Sequence, residues 1–186
     1  MPNLTPIAPQ FVTSATTTLV FKEKKFGSLS GDSGRVEDAE GNVMFKIDAN
    51  LMTMSGRREF MDASGTNIGQ IRKKKTPGLH AVWYLGTMND EKKCAVKAKG
   101  TMNITKCDAD IYIGDTVVGE CLGNWRAKSF TISIEGNQVA EVSRNTDAGG
   151  IILNADSYSI EILAGVDSAF ITMIVIALDE IYHEKK

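Results

Sequence analysis

The side chains best suited to binding an anion form a run of four consecutive cations, Arg72, Lys73, Lys74 and Lys75. Near an anionic membrane surface each basic residue contributes about 1 kcal/mol of binding free energy, so several acting together would support reversible docking. The competing interpretation is a solvated strand end at which lysines protect the edge of a sheet, a common use of such runs. Arg57 and Arg58 are candidates to join the cluster in space.

A second segment, Ser30-Gly31-Asp32-Ser33-Gly34, matches the Gly-Asp-Ser-Gly that surrounds the nucleophile of chymotrypsin-like proteases. A nucleophilic serine needs a histidine base within hydrogen-bond reach, and that protease family places its histidine upstream of the serine. No histidine precedes Ser33 in this chain. The Gly, Ser and Asp composition therefore predicts a loop rather than an active site.

Metal and acid–base chemistry have few candidates. The chain has two histidines, His80 and His183, and neither lies in a motif that would orient it for catalysis. Asp108 and Asp110 could contact a hard cation, but a Ca²⁺ loop needs more carboxylates at set spacing, so we interpret them as polar residues at a strand entry. We predict no catalytic residue, no metal site and no cofactor.

The remaining distinctive side chains have structural interpretations. Cys94, Cys107 and Cys121 are an odd number without a Cys-x-x-Cys pair, which indicates buried free thiols rather than disulfides or a zinc site. Trp125, with Lys128 nearby, could mark a membrane interface, but a tryptophan in the core or at a hairpin end is the favoured interpretation.

Composition places the chain among ordinary globular proteins of one domain. It has 186 residues, 42% of them hydrophobic, and a net charge of −2. The charge is uneven: residues 1–100 carry 15 basic and 10 acidic side chains, whereas residues 101–186 carry 6 and 13. A local basic patch is compatible with this distribution, but a surface that coats nucleic acid is not. The first residues lack the features of a cleaved secretion signal, which favours a cytosolic location.

Most of the chain has the pattern of half-buried strands. Apolar residues alternate with polar ones at a period of two in Val43–Ile47, Cys94–Ala98, Ile111–Ile113, Phe130–Ile134 and Tyr158–Ile162. Turn signals rich in Gly with Asp or Asn separate these stretches, as in Asp38–Asn42 and Asp62–Thr66. The chain therefore predicts an antiparallel meander of hairpins.

The C-terminal segment is different, because residues 166–182 predict a helix that is apolar on nearly every side. Its apolar run, bracketed by Asp167 and Asp179, is shorter than the 18 or so residues that would cross a bilayer. A helix without a polar face has to be enclosed by protein. Closing the meander around it gives an apolar wall on all sides and removes the exposed sheet edges. We therefore predict a closed antiparallel barrel around a central C-terminal helix.

The chain resembles the LURP-one-related proteins and, more distantly, the tubby and phospholipid scramblase C-terminal domains. The matching stretches are Asp38–Ile47, Phe60–Lys74, His80–Tyr84 and Gly165–Ile181. The resemblance implies a tubby C-terminal-like barrel of about twelve strands. It also implies phosphoinositide binding from the tubby domains and a defence or signalling role from the LURP-one-related proteins. The membrane anchor and cysteine-rich segment of scramblases do not match anything here, so lipid flipping is not carried over.

Together these observations predict an extended N-terminal arm, residues 1–15, and one barrel domain, residues 16–186. We expect a non-enzymatic binding protein whose basic cluster contacts the head groups of anionic phospholipids, in the cytoplasm or peripherally on a membrane. The alternative is a protein-interaction scaffold that binds a protein partner through loops such as residues 27–34 and 146–151. A carrier of an apolar ligand is disfavoured, because the helix should fill the interior.

Overall fold

The computed structural model describes residues 9–24, 33–48, 57–74, 82–87, 92–99, 105–144 and 157–183. Twelve strands precede one helix, α1, at Ser168–His183. The strands are β1 (Thr17–Lys24), β2 (Ser33–Glu37), β3 (Val43–Asp48), β4 (Arg58–Asp62), β5 (Asn67–Lys73), β6 (Val82–Gly86), β7 (Lys92–Ala98), β8 (Lys106–Ile113), β9 (Thr116–Asn124), β10 (Ser129–Ile134), β11 (Asn137–Arg144) and β12 (Ser157–Ile162).

The strands form a closed barrel. Each strand pairs antiparallel with the next along the chain, and β1 pairs with β12 to complete the ring. In that closing pair Leu19 lies opposite Ile160, and both side chains are fully buried. The structure thus confirms the closed antiparallel barrel predicted from the sequence pattern, and the twelve strands that the resemblance implied.

The predicted hairpins follow from local chemistry in their turns. Asp38 at the end of β2 accepts hydrogen bonds at its carboxylate from the backbone N–H groups of Glu40 and Asn42, at 3.0 and 2.8 Å. Gly41, at φ +87°, then supplies the left-handed conformation that other residues rarely adopt. The hydrogen bond from the Asn42 side chain is the main cause that lowers the pKa of Asp38. Such turns bring each pair of neighbouring strands into register.

The helix occupies the inside of the barrel. All residues from Asp167 to Asp179 are buried, and side chains from nearly all strands join the same core. The prediction of a buried helix is confirmed, with its bounds at 168–183 rather than 166–182. Asp167 caps its N-terminus, since its Oδ1 accepts a 3.0 Å hydrogen bond from the Phe170 backbone N–H.

The chain before β1 closes the barrel where the helix begins. Of the predicted extended arm, residues 9–15 are described, and Pro9–Phe11 form a 3₁₀ turn. The Phe11 ring packs edge-on against Phe45, with 4.9 Å between ring centroids. The Phe11 carbonyl accepts a 3.0 Å hydrogen bond from the Ser168 hydroxyl, and Val12 forms a bridge with Asp167. This segment therefore covers the first turn of α1.

Shortening a side chain at the centre of the helix should destabilise the whole domain. Ile174 is fully buried, so Ile174→Ala would lose apolar contact and leave a cavity in a closed interior. We expect the free energy of unfolding to fall by about 2–5 kcal/mol, measured by urea denaturation. The exposed Val117→Ala serves as control and should change it by less than about 0.5 kcal/mol. Equal stability of the Ile174 variant and wild type would contradict a central position for α1.

Candidate functional site

The barrel has two different ends. At one, called the N end, short hairpin turns surround the start of α1; at the other, called the C end, β4 begins, β5 ends and α1 finishes. The charged residues in the described turns of the N end are all acidic: Asp38, Glu40, Asp115, Glu135 and Asp167. The described basic residues at the C end include Arg57, Arg58, Arg72, Lys73, Lys74, Lys99, Lys106, Arg126, Lys128 and Arg144. The acidic residues there include Asp48, Glu59, Asp108, Asp179 and Glu180, so basic residues outnumber acidic ones in this described set.

The predicted basic cluster lies at the C end of β5. Lys73 and Lys74 are exposed, while Arg72 is half-buried. Arg72 lies opposite Tyr84 on β6, and the Lys74 backbone N–H continues this pairing with a 2.8 Å hydrogen bond to the Val82 carbonyl. The Lys74 ammonium is 5.9 Å from the centroid of the Tyr84 ring. Regular strand pairing therefore fixes the backbone beneath these cations.

Arg57 joins this cluster on the neighbouring strand. Arg58 pairs with Ile71 in the register of β4 and β5, so one further step along both strands places Arg57 opposite Arg72. Side chains in such a position are neighbours on the same face of a sheet. The Arg57 guanidinium has a long contact of 3.8 Å with Glu59. We call the group of Arg57, Arg72, Lys73 and Lys74 the basic rim.

Arg58 faces the other way. Its Nη2 lies 2.5 Å from Oε1 of Glu180 near the end of α1, and both side chains are about 15% exposed, at 14% and 15%. Arg58 thus ties the helix to the barrel wall, and we leave it out of the basic rim. Lys75 lies outside the described residues.

A second ion pair closes the C end. Lys128 Nζ lies 2.9 Å from Oδ1 of Asp179, with side-chain exposures of 14% and 6%. The same ammonium lies 3.6 Å from the centroid of the Trp125 ring and 4.8 Å from that of Tyr158. Trp125 is buried and stacks on Tyr182 at 5.1 Å, which confirms its interpretation as a core residue. Lys128 itself was not recognised in this role from the sequence.

The aspartates of β8 contact lysines. Lys99 Nζ lies 2.9 Å from Asp110 Oδ1 and 3.7 Å from Asp108 Oδ1, and Lys106 Nζ lies 3.2 Å from Asp108 Oδ2. The hydrogen bond with Asp110 is the main cause that raises the pKa of Lys99. In the described part of the chain, no group of three or more His, Cys, Asp or Glu residues is arranged to hold a metal ion.

The three cysteines, Cys94, Cys107 and Cys121, are free and buried, as predicted. Burial raises the pKa of the Cys94 and Cys107 thiols from 9.0 to about 12, and it raises that of Cys121 well above 9.0. Because the thiolate is the reactive form, these are structural side chains.

Other candidates from the sequence are only partly described. Ser33 and Gly34 begin β2, whereas residues 30–32, His80 and the loop 146–151 lie outside the described residues, as does most of loop 27–34. His183 ends α1, but its side chain is not among those described.

The interior described here leaves little room for a ligand. A cavity of about 20 Å³ lies beside α1, lined by Phe21, Gly34, Ile47, Arg58, Ile176, Asp179 and Glu180. That volume is close to the space of one water molecule. None of the described helical segments has the length and hydrophobicity needed to cross a bilayer. The described residues therefore offer chemistry mainly on the outer face of the barrel.

Comparison with known proteins gives consistent matches over nearly the whole chain. A family model described as LURP-one-related matches residues 17–179. Protein LURP-one-related 5 of Arabidopsis thaliana is 30% identical over 166 residues, covering 82% of this chain and 78% of the relative. Protein LURP-one-related 15 from the same plant is 24% identical, covering 88% and 79%. A crystal structure of an Arabidopsis thaliana protein has the same fold, with a TM-score of 0.69 and 19% sequence identity. The match covers 96% of this chain and 98% of the chain in that structure.

Removing the cation that closes the C end should destabilise the protein. In Lys128→Met, the nearly buried carboxylate of Asp179 loses a partner at 2.9 Å. We therefore expect the free energy of unfolding, measured by urea denaturation, to fall by about 3–5 kcal/mol. The double variant Lys128→Met with Asp179→Leu removes both charges and should regain part of that loss. A double variant no more stable than the Lys128→Met single variant would contradict the ion-pair explanation.

The buried thiols predict a loss of stability in alkaline solution. Between pH 9.0 and about pH 12, the thiols of Cys94 and Cys107 lose their protons in the unfolded chain but keep them in the folded protein. The free energy of unfolding should therefore keep its full value below pH 9 and decrease as the pH rises toward 12. Urea denaturation at about pH 8 and pH 10.5 measures this slope. The Cys94→Ala variant should have a shallower slope, and an unchanged slope would contradict the assignment.

Proposed function

The chain belongs to the LURP-one-related family, and from that premise we propose that it is a non-enzymatic binding protein that docks on anionic, phosphoinositide-bearing membrane surfaces through its basic rim. The ligand chemistry is the phosphorylated head group of a lipid in the cytoplasmic leaflet. The protein would then be cytoplasmic and peripherally bound to the membrane. Its role would be to tether itself to that membrane surface.

The observation that carries this proposal is the adjacency of like charges on the outer face of β4 and β5. Arg57 immediately precedes β4, and extending the strand register by one residue places it opposite Arg72, while Lys73 and Lys74 follow Arg72 at the end of the barrel wall. Cations on adjacent strands can contact one phosphorylated head group together, and several basic residues are needed for reversible docking. Guanidinium groups also match the geometry of phosphate oxygens and bind them with paired hydrogen bonds.

The surplus of basic residues at the C end supports the same orientation. With the C end toward an anionic surface, its basic residues approach the lipid phosphates, while the acidic turns of the N end point away. The electrostatic field of such an uneven charge distribution orients a protein as it approaches an anionic membrane and increases its rate of association. Tyr84 lies beside Arg72 in the register, where a half-buried aromatic ring with a polar tip suits the boundary between water and lipid.

The filled interior supports a binding role rather than catalysis. The helix occupies the space that a ligand-carrying barrel keeps open, and the cavity described beside it measures about 20 Å³. The described carboxylates of β8 lie against lysines, and the three thiols are buried with raised pKa values. These side chains are engaged in structure rather than positioned around a site for substrate.

Co-sedimentation with vesicles tests the proposal. We expect the protein to bind phosphatidylcholine vesicles that contain about 5 mol% phosphatidylinositol bisphosphate, and to bind less at 0.15 M salt than at about 0.05 M. Lys73→Glu removes one attraction and adds one repulsion, so binding should weaken by roughly 2 kcal/mol, or about 30-fold. Lys74→Glu should act similarly.

The matched control is Lys46→Glu. Lys46 is exposed on β3, and its ammonium donates a 2.8 Å hydrogen bond to the Ala63 carbonyl in a turn of the N end. The Lys46→Glu substitution changes the net charge by the same amount as Lys73→Glu, but away from the basic rim. Its vesicle binding should therefore stay within about twofold of wild type. Equal losses in both variants would show that net charge alone governs binding. No binding by wild type to any vesicle would reject the lipid proposal in favour of the protein-interaction scaffold.

A further inference from the structure

A glutamate lies directly behind the basic rim on the outer face of β4. Glu59 is the second residue of β4 and Arg57 immediately precedes the strand, so extending the strand by one residue places both side chains on the same face. Glu59 Oε1 lies 3.8 Å from Nη2 of Arg57, and the two side chains are 27% and 35% exposed. One cation of the basic rim therefore has a carboxylate within electrostatic reach.

The strand register identifies the other charges around Glu59. Asp48 of β3 lies opposite Glu59 on one side, and the neutral Gln70 of β5 lies opposite it on the other. Lys46 and Arg72 occupy the diagonal positions on those two strands, and the Lys46 ammonium donates a hydrogen bond to a backbone carbonyl in the turn after β4. Asp48 repels the Glu59 carboxylate and the cations of the basic rim attract it, so this carboxylate is biased toward the rim.

The contact between Glu59 and Arg57 is weak. At 3.8 Å it is longer than the roughly 2.7–3.2 Å of an N–H···O hydrogen bond. Among the described residues, Arg57 Nε is also buried without a hydrogen-bond partner. A rotation that turns the Arg57 side chain from Glu59 toward a ligand would break no hydrogen bond within the described part of the chain.

Lipid head groups differ in how well they compete with Glu59 for Arg57. Each phosphate monoester of a phosphoinositide carries a charge of about −1.5 to −2 at neutral pH, and its three acceptor oxygens match the fork of a guanidinium. Phosphatidylserine offers a carboxylate and a phosphate diester, each with a single negative charge, and neither is a better acceptor than the Glu59 carboxylate. Glu59 also has a high effective concentration, because it belongs to the same chain as Arg57.

We propose that Glu59 makes the basic rim selective for phosphate monoesters by holding Arg57 back from weaker anions. Glu59 is a positioning residue, since it acts through Arg57 and does not contact the head group. Lys73 and Lys74 attract any anionic surface, whereas Arg57 turns to the lipid when a phosphate monoester replaces the Glu59 carboxylate. The inference rests on the proposed docking of the basic rim on phosphoinositide-bearing membranes and names the residue that sets its preference.

The test compares two kinds of vesicle in co-sedimentation. One contains phosphatidylcholine with about 5 mol% phosphatidylinositol bisphosphate, and the other contains phosphatidylcholine with about 20 mol% phosphatidylserine, so that both carry similar total charge. We expect wild type to prefer the first. In Glu59→Gln, binding to phosphatidylserine vesicles should strengthen by about fivefold, the contribution of one released cation, while binding to phosphoinositide vesicles should change by less than about twofold.

Two controls separate this effect from net charge. Glu161→Gln removes the same charge at an exposed position on β12 and should leave the ratio of the two Kd values within about twofold of wild type. In an Arg57→Gln background, adding Glu59→Gln should leave the ratio unchanged, because the cation through which Glu59 acts is gone. Urea denaturation checks that each variant is folded.

The outcomes distinguish this inference from the proposed function. If wild type prefers phosphoinositide vesicles but Glu59→Gln keeps the same ratio, the role of Glu59 is wrong and the proposed docking stands. An equal change of the ratio in Glu161→Gln would overturn the inference in the same way, as would an effect of Glu59→Gln that persists in the Arg57→Gln background. Absence of wild-type binding to either vesicle would reject the proposed docking, and this inference with it.

Discussion

The helix without a polar face is the constraint on which the rest of this molecule depends. From Asp167 to Asp179 every residue of the C-terminal segment is buried, so the protein has to surround the helix on all sides. A flat sheet would cover one side only, whereas a closed barrel covers every side and leaves no exposed strand edge. Along the chain, the twelve strands of the wall precede the helix that fills it.

Enclosure creates a separate requirement at each end of the helix, where backbone groups and charges would otherwise be buried without partners. At the N end, the Asp167 side chain accepts the hydrogen bond from Phe170, and the segment around Phe11 covers the first turn. At the C end, Asp179 and Glu180 meet Lys128 and Arg58. Basic residues near the last turn also complement the helix dipole. The same arrangement places a surplus of positive charge around one end, where we propose that the anionic surface binds.

Periodicity explains how much of this structure the sequence could predict. Alternation at a period of two identified strands such as Phe130–Ile134, and the all-apolar run identified the buried helix, because both patterns report burial directly. The closed barrel followed from combining them. The number of strands came from the resemblance, since irregular strands such as β2 and β9 have weak alternation.

The candidate site was less predictable, because it depends on register. Arg57 and Arg58 are adjacent in sequence, yet Arg57 belongs to the basic rim and Arg58 binds Glu180 at the end of the helix. A shift of one residue in strand pairing would exchange their roles, and composition does not determine that pairing. Lys128 could not be recognised, since it is 51 residues from Asp179 and depends on a turn with φ +51°.

The central claim is that a filled barrel binds through its outside, and hydrogen–deuterium exchange with mass spectrometry tests it most directly. The protein would be measured alone and with vesicles bearing phosphatidylinositol bisphosphate. The account predicts that amides of residues 169–178 exchange slowest in both samples, and that vesicles slow exchange around residues 57–58 and 72–74. Rapid exchange of the helix, or new protection in the helix when lipid binds, would show that the interior opens to ligand and would contradict the account.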